Sequence, residues 1–240
     1  MKTISSLRNE VLREGFSVMP CVLTTHQVET LISALEEEQK ADSLRRRGEV
    51  FAIRNLLAAS TEVRKLAVSA AMLDLAVEIL GPEAAPVRGI LFDKTPNANW
   101  KVPWHQDATI AVSEKIDLEG YGPWSVKAGV LHVQPPALVL ERMLSIRLHL
   151  DDCDETNGAL KVIPRSHLQG RIPESDASQL GSNGPAVVCE ALAGDALLMR
   201  PLLLHASSPA VSPRHRRVIH IDYAAMTLPA GLNWASGLNN

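Results

Sequence analysis

Apolar residues recur at helical spacing through roughly the first third of the chain and gather into short extended runs after it. Leu7 to Glu14 reads as a short helix stopped by Gly15, and Phe16 to Met19 as a short strand. Thr24-x-x-Gln27 is a capping box that opens a helix with Val28, Leu31, Ile32 and Leu35 along one face. A longer helix is expected from Thr61 to Leu80, capped by Ser60 and ended by Gly81-Pro82. These amphipathic elements, within residues 1–82, are expected to brace the outside of a β core and are assigned no chemistry.

Past Pro86 the pattern shortens to runs at Val87–Phe92, Ala108–Val112, Ala128–Val133, Leu144–Leu150, Leu160–Ile163, Val187–Leu192, Ala196–Met199 and Arg217–Tyr223. Short strands punctuated by Gly and Pro predict a mainly β fold with flanking helices, a sandwich or barrel, with its core in residues 83–225. Between two of these runs, residues 113–129 hold Gly120, Tyr121, Gly122, Pro123 and Trp124. That segment reads either as a surface loop with its aromatics tucked onto the barrel or as a lid that closes over bound substrate.

Composition narrows the class. At 240 residues and 46% apolar, the chain can bury one sizeable core, and no linker or repeat marks a second domain, so 1–240 reads as a single domain. A net charge of −3 argues against a nucleic-acid footprint or a polybasic membrane patch. Arg45-Arg46-Arg47 reads as cations favoured by the C-terminal end of a helix dipole. Cys21, Cys153 and Cys189 are widely spaced and odd in number, which fits core thiols in a reducing cytoplasm better than a disulfide framework. With no signal-like or membrane-length apolar run, a soluble cytoplasmic protein is expected, its oligomeric state left open.

The candidate chemistry begins at His105-Gln106-Asp107. On an extended strand, residues i and i+2 share a face, so an imidazole and a carboxylate can reach one metal while Gln106 points away. A histidine from a distant strand would complete a 2-His-1-carboxylate set, which leaves positions of a ferrous ion open for cosubstrate and oxygen. The tripeptide alone is common by chance. Its context is not: Gly194-Asp195, the run Ala196–Met199, a second run ending in His205, Ser207-Ser208, and the return strand led by Arg214-His215-Arg216-Arg217 read as a barrel hairpin.

These residues, with the middle block Asn157-Gly158-Ala159-Leu160 and Pro164-Arg165-Ser166-His167, resemble the phytanoyl-CoA dioxygenase family of iron(II)/2-oxoglutarate oxygenases from about Gly15 to Tyr223. The family pattern is His-x-Asp, that middle block, and a distal His-x-Ser with an arginine eleven positions after the histidine; Arg165 stands where glycine is usual. The resemblance implies a double-stranded β-helix core, jelly-roll or cupin-like. It also implies Fe(II) held by His105, Asp107 and His205, with 2-oxoglutarate and O2 as cosubstrates. Arg216 would pair with the distal carboxylate of 2-oxoglutarate, helped by Ser207, and Arg54 is placed as a further cosubstrate contact, while Arg217 should face the other way.

The family's halogenases carry a small residue at the carboxylate position, so Asp107 points to hydroxylation, or a related oxidation such as desaturation, of a small-molecule metabolite, with succinate and CO2 released. No basic cluster in the sequence looks built for a CoA phosphate. The alternative is a non-catalytic or non-oxygenase metal-binding cupin-like barrel, which has no need of a carboxylate clamp such as Arg216 and Ser207. Arg147 and His149 share one face of a strand and either could line the cavity, with a structural hydrogen-bonding role favoured; His220 shares alternation with Arg216 and could face the cavity, with a buried histidine on a backbone partner as the default. The other histidines read as structural.

Overall fold

The alternation of side chains along three central strands decides the architecture. The computed structural model describes residues 3–38, 45–47, 50–95, 99–211 and 214–235. The N-terminal part contributes α1 (Ile4–Glu14), β1 (Phe16–Met19), α2 (Thr25–Glu38), β2 (Arg45–Arg47), β3 (Val50–Ile53), α3 (Leu56–Ala59), α4 (Thr61–Ala67) and α5 (Ala70–Leu80). The remainder contributes β4 (Ala85–Lys94), β5 (Val102–His105), β6 (Ile110–Val112), β7 (Trp124–Lys127), β8 (Val130–Val133), α6 (Ala137–Glu141), β9 (Met143–His149), β10 (Leu160–Val162), α7 (Glu174–Asn183), β11 (Val187–Cys189), β12 (Ala196–Met199), β13 (His205–Ser207) and β14 (Arg216–Ala224).

These strands form a seven-stranded sheet in the order β1-β12-β9-β14-β4-β3-β2, a four-stranded sheet β11-β10-β13-β5 and a three-stranded sheet β6-β8-β7, with antiparallel pairing throughout. The architecture is a double-stranded β-helix of jelly-roll type with flanking helices. On the outer face of the large sheet, Leu91, Leu144, Ile146, Leu148, Ile219, Ile221 and Tyr223 pack against α1, α2, α4 and α5 in one apolar cluster. Because strand residues alternate, their neighbours Arg88, Ile90, Phe92 and Lys94 on β4, Ser145 and Arg147 on β9, and Arg216, Val218 and His220 on β14 face the other way. There Leu160, Val162 and Cys189 of the smaller sheet meet Leu197 and Met199 of the larger one.

The capping box forms as read, Thr24 N–H donating to Gln27 Oε1 at 2.9 Å and Gln27 N–H to Thr24 Oγ1 at 3.3 Å. Gly15 ends α1 with φ +90°, where a side chain would be strained. Three expectations are corrected. The long helix is two, because the chain leaves helical geometry at Val68 and Ser69 begins a new helix with extended φ/ψ. Arg45–Arg47 form β2, paired with β3, rather than a helix end. Cys21 is exposed, whereas Cys153 and Cys189 are buried thiols; all three are free. Arg165 does adopt the left-handed conformation, φ +67°, that glycine takes without strain. No helix among the described residues is long and apolar enough to cross a membrane.

Candidate active site

The cavity lies between the inner face of the large sheet and the smaller sheet, with a volume of about 330 Å³, at the small end for a ligand site. His205 opens β13 and pairs directly across the ladder with His105 at the end of β5, which brings their rings to a centroid separation of 4.2 Å. Asp107 lies just past the end of β5, its N–H donating to Pro201 O at 2.9 Å. His105 Nε2 stands 3.9 Å from Asp107 Oδ1, and His205 Nε2 stands 3.8 Å from Asp107 Oδ2.

The donor set fits a metal. One ligand atom from each of the three residues lies within 4.8 Å of the others. Each histidine has Nδ1 against a backbone carbonyl, Pro103 O at 2.9 Å for His105 and Leu203 O at 2.8 Å for His205. That contact assigns the proton to Nδ1 and leaves the Nε2 lone pair facing inward. Asp107 Oδ2 is buried without a hydrogen-bond partner among the described residues, a position a cation would satisfy. Burial alone would raise the Asp107 pKa, but His205, His220, His105 and Arg88 outweigh it and hold the carboxyl well below its usual range. Burial pushes His205 down to about 4, so it presents a neutral imidazole near neutrality.

Gln106 turns from this centre and staples the following segment, donating to Gly170 O at 2.8 Å and accepting from Ile172 N–H at 2.8 Å. Behind β5, α7 packs through Gly181, where an added Cβ would come within 2.2 Å of the Trp104 ring. A side chain there would displace β5 and with it His105.

Arg216, 4% exposed, lines the same cavity and donates to Gly158 O and, at 3.3 Å, to Ser207 Oγ. Lys94, which the sequence did not single out, pairs with Arg216 across the β4–β14 ladder and is 1% exposed. Its Nζ donates to Ser207 Oγ and Ser208 O, both at 2.9 Å, and lies 5.3 Å from the Trp100 ring centre. Burial, then Arg216, lowers the Lys94 pKa to about 7. Among the described residues neither cation donates to a carboxylate, so two buried cations share one hydroxyl and await an anion. Arg217 faces outward, gripping Asp151 with Nε to Oδ2 at 2.9 Å and Nη2 to Oδ1 at 2.7 Å.

Along the floor, Arg147 Nη1 meets His220 Nδ1 at 3.0 Å, and His220 Nε2 donates to Asp222 Oδ1 at 2.8 Å. Both Arg147 and His220 line the cavity. His149 is buried with neither ring nitrogen hydrogen-bonded among the described residues. Arg54 also lines the cavity, on the side of Arg88 and Lys127. Within residues 113–129, Trp124 and Tyr121 pack on a separate apolar cluster with Ile110 and Val133, while Lys127 reaches the cavity.

A sequence profile described as Phytanoyl-CoA dioxygenase (PhyH) matches residues 11–218. No curated protein sequence matches. Solved structures do. The non-heme alpha ketoglutarate dependent carbocyclase SnoK from nogalamycin biosynthesis is similar over 97% of this chain and 87% of its own, at 17% identity and a TM-score of 0.73. EctD from S. alaskensis, solved with 2-oxoglutarate and 5-hydroxyectoine, is similar over 91% and 74%, at 22% identity and 0.70. HygX from Streptomyces hygroscopicus, solved with nickel and 2-oxoglutarate, is similar over 92% and 87%, at 18% identity and 0.68. At these identities the likeness establishes a shared fold.

Proposed function

The chain belongs to the phytanoyl-CoA dioxygenase family, and on that premise we propose that it is an iron(II)- and 2-oxoglutarate-dependent dioxygenase that hydroxylates a small-molecule metabolite. The observation that carries this reading is the meeting, in one cavity, of the His105–Asp107–His205 set with the carboxylate-seeking Arg216, backed by the buried Lys94 through the Ser207 hydroxyl that both contact. A metal-binding barrel without redox chemistry has no use for the second half of that arrangement.

When bound, iron(II) with 2-oxoglutarate and O2 supplies an oxidant able to remove hydrogen from a substrate C–H bond, with succinate and CO2 released. The chain's own residues bind and orient. His105, Asp107 and His205 would hold the metal. Arg216 pairs with the distal carboxylate of 2-oxoglutarate, Ser207 donates or accepts beside it, and Lys94 supplies a second charge through the same hydroxyl. Arg54 is a further cation for the cosubstrate from the opposite wall. The walls Ile90, Phe92, Val102 and Leu160 keep the reacting region apolar and limit water. The deciding experiment is succinate formation from 2-oxoglutarate with iron, ascorbate and oxygen; its absence over a broad metabolite panel, with no uncoupled turnover, would refute the activity.

Asp107 fills the coordination position that the family's halogenases leave to halide. Under labelled O2, the product should therefore gain one labelled oxygen atom by mass spectrometry, and added chloride or bromide should not enter it. Halogen incorporation by the unmutated protein would overturn the hydroxylase assignment.

Lys94 gives the cosubstrate a pH dependence. Its pKa near 7 in the ligand-free protein means that binding an anion beside it favours the protonated form. Affinity for 2-oxoglutarate should be greatest below pH 7 and fall by up to about tenfold per pH unit above it, until the raised pKa of the bound state is reached. Lys94→Met should bind 2-oxoglutarate more weakly at pH 6.5 and lose most of that slope. A slope unchanged in the variant would remove Lys94 from the cosubstrate site.

A further inference from the structure

We propose that the primary substrate is a small organic anion whose carboxylate or phosphate docks against Arg88 and Lys127, on the far side of the metal centre from Arg216. The proposal rests on the oxygenase reading above and adds the substrate class to it. Its basis is the distribution of charge along the cavity floor. Lys94, Phe92, Ile90 and Arg88 are alternate residues of β4 and share the inward face, a strip about 20 Å long with an apolar middle; Arg88 lines the cavity at one end, and Lys94, buried against Ser207, stands at the other. On β14 the same face runs from Arg216, opposite Lys94, to Asp222, opposite Arg88.

The metal set sits between these ends. Lys94 feels Arg216 and Arg147, whereas Asp107 feels Arg88, and Lys127 feels Arg88, Arg54 and Asp107. The Arg216 end is committed to the distal carboxylate of the cosubstrate, which must reach from there to the metal. With Arg54 also given to the cosubstrate, Arg88 and Lys127 are the cavity-lining cations left for the substrate at the other end.

That end carries more cations than anions. Among the described residues that line the cavity, Asp107 is the one acid, and it belongs to the metal. Asp222 ion-pairs with Arg88 through Oδ2, 3.6 Å from Nη1, while its other oxygen, Oδ1, accepts from Ser145 at 2.6 Å and from His220 at 2.8 Å. Asp222 thus orients the guanidinium without saturating its donors. Lys127 donates to Thr109 Oγ1 at 3.3 Å, a neutral partner, and burial followed by Arg88 lowers its pKa. A partly desolvated lysine that shares a cavity wall with a second cation is costly alone and is relieved by an anion that reaches both. Arg88 offers the planar fork and Lys127 the point charge that carboxylate and phosphate groups accept. Ile90 and Phe92, next along the floor toward the metal, would take the hydrocarbon part of such a molecule, placing a C–H bond over the metal centre.

The test is calorimetric binding to protein loaded with Mn(II) and 2-oxoglutarate, which does not turn over. Binding of 2-oxoglutarate is measured first; if it fails, the oxygenase reading fails before any substrate probe is added. Matched probes follow: hexanoate against hexanamide, and butyl phosphate against butanol. At least one anion should bind tenfold or more tightly than its neutral partner, weaken with added salt, and be unaffected by doubling the 2-oxoglutarate. Which pair responds tells a carboxylic acid from a phosphate ester. Lys127→Gln should weaken the anion tenfold while leaving 2-oxoglutarate affinity within twofold, and Arg88→Gln should do the same if its loss from Asp222 is tolerated. Anions that fail to bind, bind no better than neutral probes, are displaced by 2-oxoglutarate, or ignore Lys127→Gln would each overturn the proposal.

Discussion

His205→Ala is expected to abolish turnover, and His105→Ala and Asp107→Ala should do the same, with each variant still folded. Loss of residues that merely orient metal ligands already costs tenfold to a hundredfold in affinity or activity, so loss of a ligand should exceed about a hundredfold. The three differ in what else they touch. His205 is 3% exposed and its Nδ1 holds Leu203 O, so its removal should also lower stability by about 1–3 kcal/mol. Asp107 and His105 have side chains 31% and 38% exposed at the cavity mouth, and their removal should leave the melting temperature nearly unchanged. Metal content, thermal unfolding and succinate release measured together separate these effects. Full activity in any one of the three alanine variants would sink the metal assignment.

Local patterns made much of the fold legible. The Thr24–Gln27 box, the Ser60 cap and the Gly15 stop are each written within four residues, and each forms. Strand β14 was legible for a related reason: its outward residues Ile219, Ile221 and Tyr223 are apolar, and its inward row is Arg216, Val218, His220 and Asp222, so period-two alternation separates core from cavity. Helix α7 was not legible, because Glu174–Asn183 is polar nearly throughout and is placed by Gly181 against Trp104, a contact known only once both elements are built.

The site divides along the same line. His105, Asp107, His205, Ser207 and Arg216 stand in spaced motifs, and the sequence brought them forward together. Lys94 has no motif; it reaches Ser207 because β4 lies beside β14 in a register that no local pattern encodes. Arg88 and Lys127 escaped for the same reason. The sequence holds no contiguous basic cluster suited to an anionic substrate, yet β4 and β7 assemble one across the cavity. Asp107 stands two residues past His105, where β5 ends, and a backbone bond to Pro201 O from the chain segment before His205 holds it, a contact that no local pattern encodes.

Arg216→Ala should raise the 2-oxoglutarate requirement more than any other substitution outside the metal set. Removing one partner of a desolvated charge pair costs about 2–5 kcal/mol, or about thirtyfold to a few thousandfold in affinity. Arg216 is buried, its Nε has no hydrogen-bond partner among the described residues, and its described partners are the neutral Gly158 O, Ser207 Oγ and Cys153 thiol, so an incoming carboxylate would be its first hydrogen-bonded counter-charge. Lys94 shares Ser207 with it and should retain part of the affinity, which places the single variant toward the lower half of that range and the Arg216→Ala/Lys94→Met double variant above it. Arg217→Ala is the control from the adjacent position. Its guanidinium grips Asp151 on the outer side, so the expected cost is about 1–2 kcal/mol of stability with the 2-oxoglutarate requirement within twofold of the parent. A titration of 2-oxoglutarate with all four proteins decides it: if Arg217→Ala proves the more damaging to cosubstrate binding, β14 presents the opposite face to the cavity and the carboxylate clamp must be sought elsewhere.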